Sequence, residues 1–392
     1  MRHGSSIAVL GCGPVGLAAA IALTRAGHSC RIYERFPEPR PVGSGLMLQP
    51  TGLSVLGELG LLPRILGLGQ RVDRILGKLA DTGRTVLDVS YAGISPDSHA
   101  VAIHRAALFD TLHDAVRAEG IPIRTGIEIG SVRQISGKVH PVTEKGLALE
   151  PCDLVVDALG ARSPLASRDA PRILPYGALW ATLPWPGAPF SSDRLEQRYR
   201  AASVMVGVLP VGRPSPSSQP QAAFFWSLRR DRLEAWKETG LDAWKREVRG
   251  TWPEVEPFLD ELREREQLTF AAYSHRTARH VPASRVAHVG DAFHSTSPQL
   301  GQGVNMGLLD VRALVAALVS EGTAEKAIAA YASARRFHVG LYQTLSRSLT
   351  PFYQSDGKSI CVVRDRLVPP LAGRWPAKTL LAAMVAGTLG LR

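Results

Sequence analysis

The stretch Gly11-Cys12-Gly13-Pro14-Val15-Gly16 decides the fold. It follows a short apolar run, Ile7–Leu10, and opens an alanine-rich segment, Val15–Arg25, that stops at Gly27. Strand, glycine turn and helix in that order predict the first half of a β-α-β unit. In such a unit the first glycine permits the tight turn, and the second lets backbone approach a pyrophosphate. The third lets helix and strand pack closely. The free N–H groups and positive dipole end of the helix then face the phosphates. A second strand, Cys30–Tyr33, ends on Glu34, where a carboxylate bonds a ribose 2′-hydroxyl. The same carboxylate repels a 2′-phosphate, which favours FAD or NAD over NADP at this site.

Two later segments extend this reading. Val289-Gly290-Asp291-Ala292 follows an apolar strand, and the run from Pro298 through Gly301, Gln302, Gly303, Val304 and Asn305 to Met306 opens a second helix. Its glycines give a ligand access to backbone amides, and its dipole favours negative charge. Asp291 is placed to bond a ribityl or ribose hydroxyl. Val304, Leu308, Val311, Val315 and Leu318 share one face of that helix, so the rest of it packs into a core.

Between these anchors the patterning changes. Arg74–Ala80 and Arg84–Ser90 flank Asp81-Thr82-Gly83 as a hairpin, and Leu108–Glu119 forms an amphipathic helix closed by Gly120. Strand-like runs at Ser203–Leu209 and Ala222–Leu228 enclose a Pro/Ser-rich loop. Helices are expected at Asp231–Glu238, Leu241–Arg249 and Glu256–Glu266. The expected architecture is α/β: a Rossmann-like dinucleotide domain interrupted by a mixed β-sheet substrate domain, with a helical C-terminal segment. Residues 1–75, 101–170 and 276–340 compose the first domain. Residues 76–100 lend a hairpin to the substrate-binding β/α domain at 171–275, and residues 341–392 form the helical tail.

The 392 residues carry 46 Lys plus Arg against 35 Asp plus Glu, a net charge of +11. The basic residues are scattered among acids with no aromatic-interleaved stripe, so no nucleic-acid partner is expected. The four cysteines form no C-x-x-C pair and no metal-ligand set, which fits a reducing cytoplasm and no bound metal. The uncharged stretch Thr379–Gly390 falls short of the ~20 residues of a membrane span, so no integral span is expected and a buried helix or docking surface is the reading.

Taken together, these segments resemble the FAD-dependent aromatic hydroxylases of the para-hydroxybenzoate hydroxylase type, from the first strand to about Arg336. The fingerprint ends in Glu34-Arg35, and Gly290-Asp291-Ala292-Phe293-His294 with Pro298 through Asn305 matches the family's second flavin motif. Arg105, Leu108 and Leu112 match an Arg-x-x-Leu-x-x-x-Leu element, and Gly43 through Pro50 looks like the loop that passes the flavin. The family's Gly-Ala-Asp-Gly-x-x-Ser run departs here: Asp157-Ala158-Leu159-Gly160-Ala161-Arg162-Ser163 carries Leu159 in place of the aspartate.

The resemblance implies FAD as cofactor, NADH or NADPH as a transient electron donor, and O2 as co-substrate. It implies a monooxygenase that hydroxylates an aromatic or heteroaromatic small molecule through a flavin C4a-hydroperoxide. Gly11, Gly13, Pro14, Val15 and Gly16 are then expected at the pyrophosphate and Glu34 at the adenosine ribose. Arg35 and Arg105 lie along the cofactor, and Asp291 meets its ribityl–pyrophosphate region. Backbone from Gly301, Gln302, Gly303, Val304 and Asn305 faces the pyrimidine edge, and Pro298 sits beside the ring. Tyr273 and His275 share one strand face as candidates to orient a hydroxyl or relay a proton; the alternative is sheet packing and a satisfied structural histidine. Trp180, Phe225 and Trp226 either line an apolar cavity or pack in a core. A tailoring oxygenase or epoxidase on a non-aromatic substrate stays open beside the hydroxylase. So does a non-oxygenating flavin reductase or isomerase, which Leu159 keeps in play. The sequence does not distinguish a monomer from a homodimer.

Overall fold

The computed structural model describes residues 4–40, 45–166, 170–281, 283–372 and 374–391. Gly43 and Ser44 of the expected flavin-passing loop lie outside the described residues.

A five-stranded parallel sheet carries the fingerprint. Its order is Val286–His288, Leu154–Asp157, Ser6–Leu10, Ser29–Tyr33 and Ile123–Arg124. The near-continuous apolar runs Ile7–Leu10 and Leu154–Val156 are fully buried, as strands covered on both faces require. The fingerprint helix Pro14–Arg25 packs on the helix Gly303–Ser320, so the two glycine motifs, far apart in sequence, open side by side. Gly303–Ser320 is long and apolar enough to cross a membrane by composition. It lies instead against the helices Pro14–Arg25, Pro50–Glu58 and Ala324–Tyr353 with most of its length buried.

A seven-stranded sheet forms the second layer system. Its order is Thr269–His275, Arg172–Pro184, Gln221–Arg229, Val204–Gly212, Arg194–Arg200, Arg74–Leu79 and Thr85–Ser90. The hairpin Arg74–Ser90 therefore joins the later strands, through the parallel pairing of Arg74–Leu79 with Arg194–Arg200. One face buries Leu179, Val206, Phe224 and Trp226 against Trp244, Trp252 and Phe258 of the helical segment that follows. The opposite face holds Trp180, Phe225 and Leu209, turned toward the flavin-motif side and the C-terminal helices.

Several local expectations shift. The helix expected from Leu108 begins at Arg105, because the His104 imidazole accepts the Ala106 N–H at 3.1 Å and caps it. The helix expected to reach Glu266 stops at Glu261, and Glu264 with Gln267 builds a separate capped turn. No break falls near residue 340: one helix runs through it, Ala324–Tyr353. Trp226 belongs to the core beneath the sheet and lines no cleft.

The uncharged C-terminal stretch forms the helix Ala377–Ala386, which buries Ala382, Val385 and Ala386 against Met47, Tyr91 and Val211. Its end is tied to the flavin motif. Gln302 Nε2 donates to Val385 O, and Thr51 Oγ1 donates to Ala386 O at 3.2 Å.

Candidate functional site

The six fingerprint residues divide their work by what surrounds each glycine. Gly11 sits at φ +100°, and a Cβ there would lie 2.6 Å from Ala158 O. A Cβ on Gly16 would strike the Gly11 carbonyl oxygen. Both glycines are therefore required by packing. Around Gly13 no heavy atom stands within 4 Å of an added Cβ, so that backbone faces open space. Gly13 is also the helix N-cap and provides no side-chain cap, while Pro14 at the first helical position has no N–H to satisfy. The amides of Val15 and Gly16 are left for an anion.

Glu34 is buried at the lip of this turn. Its carboxylate accepts the Cys12 N–H at 2.8 Å and the Phe36 N–H at 2.9 Å. Each oxygen keeps a lone pair for a ribose hydroxyl. The Cys12 thiol is pushed up to about 12 by burial and then by Glu34, which leaves it unreactive. Arg35 lies exposed with its guanidinium 4.7 Å from the Phe36 ring centroid.

The second motif is held by a residue that sequence reasoning missed. Asp310 is fully buried in the helix Gly303–Ser320 and accepts the Gly290 N–H at 2.9 Å and His294 Nε2 at 2.7 Å on one oxygen. Its other oxygen accepts Arg335 Nε at 2.8 Å. Burial raises the Asp310 pKa, but His294 and Arg335 outweigh it, and the carboxyl sits below its ordinary value. The signal in the sequence was a lone acid on an otherwise apolar helix. The network fixes the turn that presents Asp291, which is exposed to solvent although protein encloses it on every side. Enclosure raises the Asp291 pKa, opposed by His294 and Arg105. Arg105 is likewise accessible yet enclosed: burial lowers its pKa, and Asp291 and Tyr273 raise it. Solvent contact combined with desolvation marks the lining of a deep cleft.

Pro298 is exposed and begins a single turn that ends on Gly301, at φ +60°. Gln302 caps the helix by backbone only, so amides beginning at Gly303 lack side-chain partners. The Asn305 side chain is fully committed. Nδ2 donates to Met47 O at 3.0 Å and Gly301 O at 2.8 Å, and Oδ1 accepts Gln49 N–H at 2.8 Å. Only its backbone remains available, with Val304, to a ligand.

Tyr273 and His275 do not act on a common partner. The pairing of Thr269–His275 with Arg172–Pro184 jumps from Ile173/Ser274 to Gly177/Ala272, so Leu174, Pro175 and Tyr176 oppose the single Tyr273. A bulge of this kind re-aims side chains. Tyr273 reaches the cleft beside Arg105, with its oxygen 3.0 Å from Trp180 Nε1. Trp180 stacks on Phe225 at 4.5 Å.

His275 is buried, and its Nε2 lies 3.1 Å from Ser346 Oγ on the long helix. Ser297 Oγ lies 2.9 Å from Ser346 Oγ and 2.7 Å from Thr350 Oγ1, and Thr350 donates to Ser346 O at 2.6 Å. With the Thr350 proton committed, Ser297 donates to Thr350, Ser346 to Ser297, and His275 Nε2–H to Ser346. The chain ends on a backbone carbonyl, so it clamps Ser297 and does not conduct protons to the cleft. The relay expected of His275 has no acceptor at its far end.

At the altered motif, Asp157 is fully buried and accepts Ser163 Oγ at 2.6 Å, His288 Nδ1 at 2.7 Å and Leu159 N–H at 3.1 Å. The loop keeps its order without an aspartate at position 159. Among the described residues no group of His, Cys, Asp and Glu is arranged to hold a metal ion.

Open space at Gly13, two backbone-capped helix starts side by side, an acid at each ribose-like position and an enclosed cleft together fit FAD. Comparisons with known proteins agree. A family described as an FAD binding domain matches residues 5–342. The 3-amino-4-hydroxybenzoate 2-monooxygenase of Streptomyces cremeus is 27% identical over 385 residues, covering 92% of this chain and 90% of that protein. Kynurenine 3-monooxygenase of Salinispora arenicola is 28% identical over 423 residues, covering 99% and 89%. The structure of Klebsiella pneumoniae HpxO complexed with FAD and uric acid aligns with a TM-score of 0.82 at 20% identity, over 99% of each chain. That of P. aeruginosa PqsL in complex with 2-aminobenzoylacetate aligns with a TM-score of 0.78 at 20% identity, covering 92% of this chain and 99% of that one. The two structures share the fold. The family match spans most of the chain and both glycine motifs, and on that ground the chain belongs to the FAD-dependent aromatic hydroxylases.

Proposed function

We propose that this flavoenzyme hydroxylates an aromatic or heteroaromatic small molecule with O2, using electrons from NADH or NADPH. The observation that carries the reading is the wall of Trp180 and Tyr273, backed by the buried Phe225 and within electrostatic reach of Arg105, which in turn interacts with Asp291. A flat ring is matched by such a wall, and few polar groups are needed to fix its orientation. Bound FAD supplies hydride acceptance and oxygen activation.

The chain's own residues bind, orient and exclude water. Amides of Val15 and Gly16 hold the pyrophosphate, with Gly11, Gly13 and Pro14 shaping the turn, and Glu34 holds the adenosine ribose. Arg35 and Arg105 lie along the cofactor, and Asp291 takes a ribityl hydroxyl. Backbone from Gly301, Gln302, Gly303, Val304 and Asn305 faces the pyrimidine edge, where the helix dipole favours negative charge. Pro298 closes the space beside the ring, and Tyr273 orients the substrate. His275 supports Pro298 through Ser297.

The non-oxygenating alternative raised by Leu159 is not favoured: the relatives named above are monooxygenases, and Asp157 keeps the loop in place. Cys12, Cys30 and Cys152 are buried free thiols, which supports a reducing, cytoplasmic setting.

The test is anaerobic addition of NADH, then NADPH, to the FAD-loaded protein with and without a panel of phenols and N-heteroaromatics. Flavin bleaching accelerated by one ring compound, followed by its hydroxylation on admitting O2, is expected. Failure to retain FAD, or bleaching that no ring compound accelerates, overturns the reading.

A further inference from the structure

We infer that Trp180 is a positioning residue that makes Tyr273 a one-way hydrogen-bond donor, so that the cleft selects rings bearing an oxygen acceptor such as an oxo or phenolate group. The inference rests on the hydroxylase reading for the kind of ligand, and deepens it by naming the feature of the ring that is recognised.

The argument starts from an asymmetry in donors. An indole N–H can only donate. At 3.0 Å from Trp180 Nε1, the Tyr273 oxygen must therefore accept, and its own proton has no acceptor among the described residues. That proton is left to the cleft. The arrangement cannot invert, because neither a Trp nitrogen nor the neighbouring Arg105 guanidinium accepts a hydrogen bond.

The tryptophan is itself fixed. Trp180 and Phe225 are direct cross-strand partners, and their rings stack at 4.5 Å with 29° between planes. Cross-strand aromatic pairs restrict each other's rotamers. Opposite Tyr273 the bulged segment Leu174–Tyr176 frees its strand from regular pairing, so the phenol is aimed by Trp180 and not by the pleat. Burial holds the Tyr273 pKa at about 12, against the lowering effects of Trp180 and Arg105, so the hydroxyl keeps its proton over the whole working range. A permanent donor beside a cation suits a ring oxygen that carries partial or full negative charge. A ring that offers only N–H or C–H groups leaves that donor unpaired.

The test reads binding to the oxidised FAD-loaded protein without nicotinamide, so it does not depend on turnover. Flavin absorbance is titrated with two matched pairs, 4-nitrophenol against nitrobenzene and 4-quinolone against quinoline. Wild type is expected to favour the oxygen-bearing member of each pair by about tenfold. Tyr273→Phe and Trp180→Phe should each erase that preference, read as the ratio of affinities within each pair. Trp180→His, which retains a ring N–H, should restore part of it. The tyrosine doublet in an ultraviolet resonance Raman difference spectrum of wild type minus Tyr273→Phe reports the acceptor state directly, and stays readable even if Trp180→Phe fails to fold. A preference that survives in Trp180→Phe, an absent preference in wild type, or a doublet typical of a donating-only phenol overturns the inference. Loss of the hydroxylase reading would appear separately, as absent ring-stimulated flavin reduction.

Discussion

Gln49 and Asn305, 256 positions apart, are joined by a 2.8 Å bond from the Gln49 N–H to Asn305 Oδ1. Through it one buried side chain ties the strand Gly45–Leu48 to the Gly301 turn, since Nδ2 of the same residue holds Met47 O and Gly301 O. The strand and the turn are thereby held as one unit. Replacing Asn305 by Ala removes the side-chain partner of two buried backbone groups and one half-buried one, at about 1–3 kcal/mol each before relaxation. Asn305→Ala should lower the melting temperature and release FAD on gel filtration, whereas a wild-type melting temperature with full FAD content would contradict the staple.

Gly13 and Gly16 should separate cofactor binding from folding. Gly13 has φ −76°, ordinary for alanine, and open space where the Cβ would go. Gly13→Ala should leave the apoprotein's melting temperature within about a degree and weaken FAD binding at least tenfold, because the methyl takes the place of the approaching pyrophosphate. Gly16→Ala forces a Cβ onto the Gly11 carbonyl and should destabilise the apoprotein itself by roughly 1–3 kcal/mol. Thermal denaturation of both apoproteins, with FAD titrations by fluorescence, checks the contrast.

How much of this was legible in the sequence depends on whether a residue acts locally. The fingerprint could be read because Gly16 answers to Gly11 within two turns of chain, and Glu34 directly follows the very next strand. The anchors were not legible. Asp310 meets Gly290 and Arg335 only after two helices and a sheet have packed, and its sole trace is an acid within an apolar helix. The motif places only the backbone of Asn305 at a cofactor, and the bonds of its side chain to Met47 and Gln49 have no trace in the sequence. The uncharged C-terminal stretch reads as a buried helix or a docking surface, and the Gln302–Val385 bond that seats it as a buried helix joins residues 83 positions apart. His275 illustrates the remaining gap: strand alternation placed it with Tyr273, and a bulge with a facing row of hydroxyls sent it elsewhere.

His275 should consequently behave as a support. Burial lowers its pKa, and Arg347 and Arg172 lower it further, so it is neutral while its Nε2–H holds Ser346. His275→Ala should cost about 1–2 kcal/mol of stability, as expected for a buried hydrogen bond with its packing. It should leave the shape of the pH–rate profile intact. Disappearance of an ionisation from kcat/KM in that variant would restore a proton-transfer role.

Acid should loosen the flavin motif before it unfolds the sheet, because two histidines are held neutral around it. Burial, followed by the charge of Arg335, depresses His338 to about 4; burial, followed by His288, depresses His280 to about 4. The geometry agrees. His338 Nδ1 faces Arg335 Nη1 at 3.1 Å while Nε2 bonds Gly387 O, and His280 Nε2 accepts the His288 N–H at 3.1 Å. Their ring nitrogens that accept must stay unprotonated. In the unfolded chain both histidines titrate near 6.5, so between about pH 6.5 and pH 4 the unfolded state binds more protons than the folded one. Their contribution is complete above pH 6.5 and is withdrawn as pH falls toward 4, at roughly 1–2 kcal/mol per histidine by pH 5. Urea denaturation at pH 7 and pH 5 should show that loss, and His338→Gln should remove close to half of it. A slope unchanged in that variant would place the acid sensitivity elsewhere, in carboxylates such as Asp310 whose support is lost at lower pH.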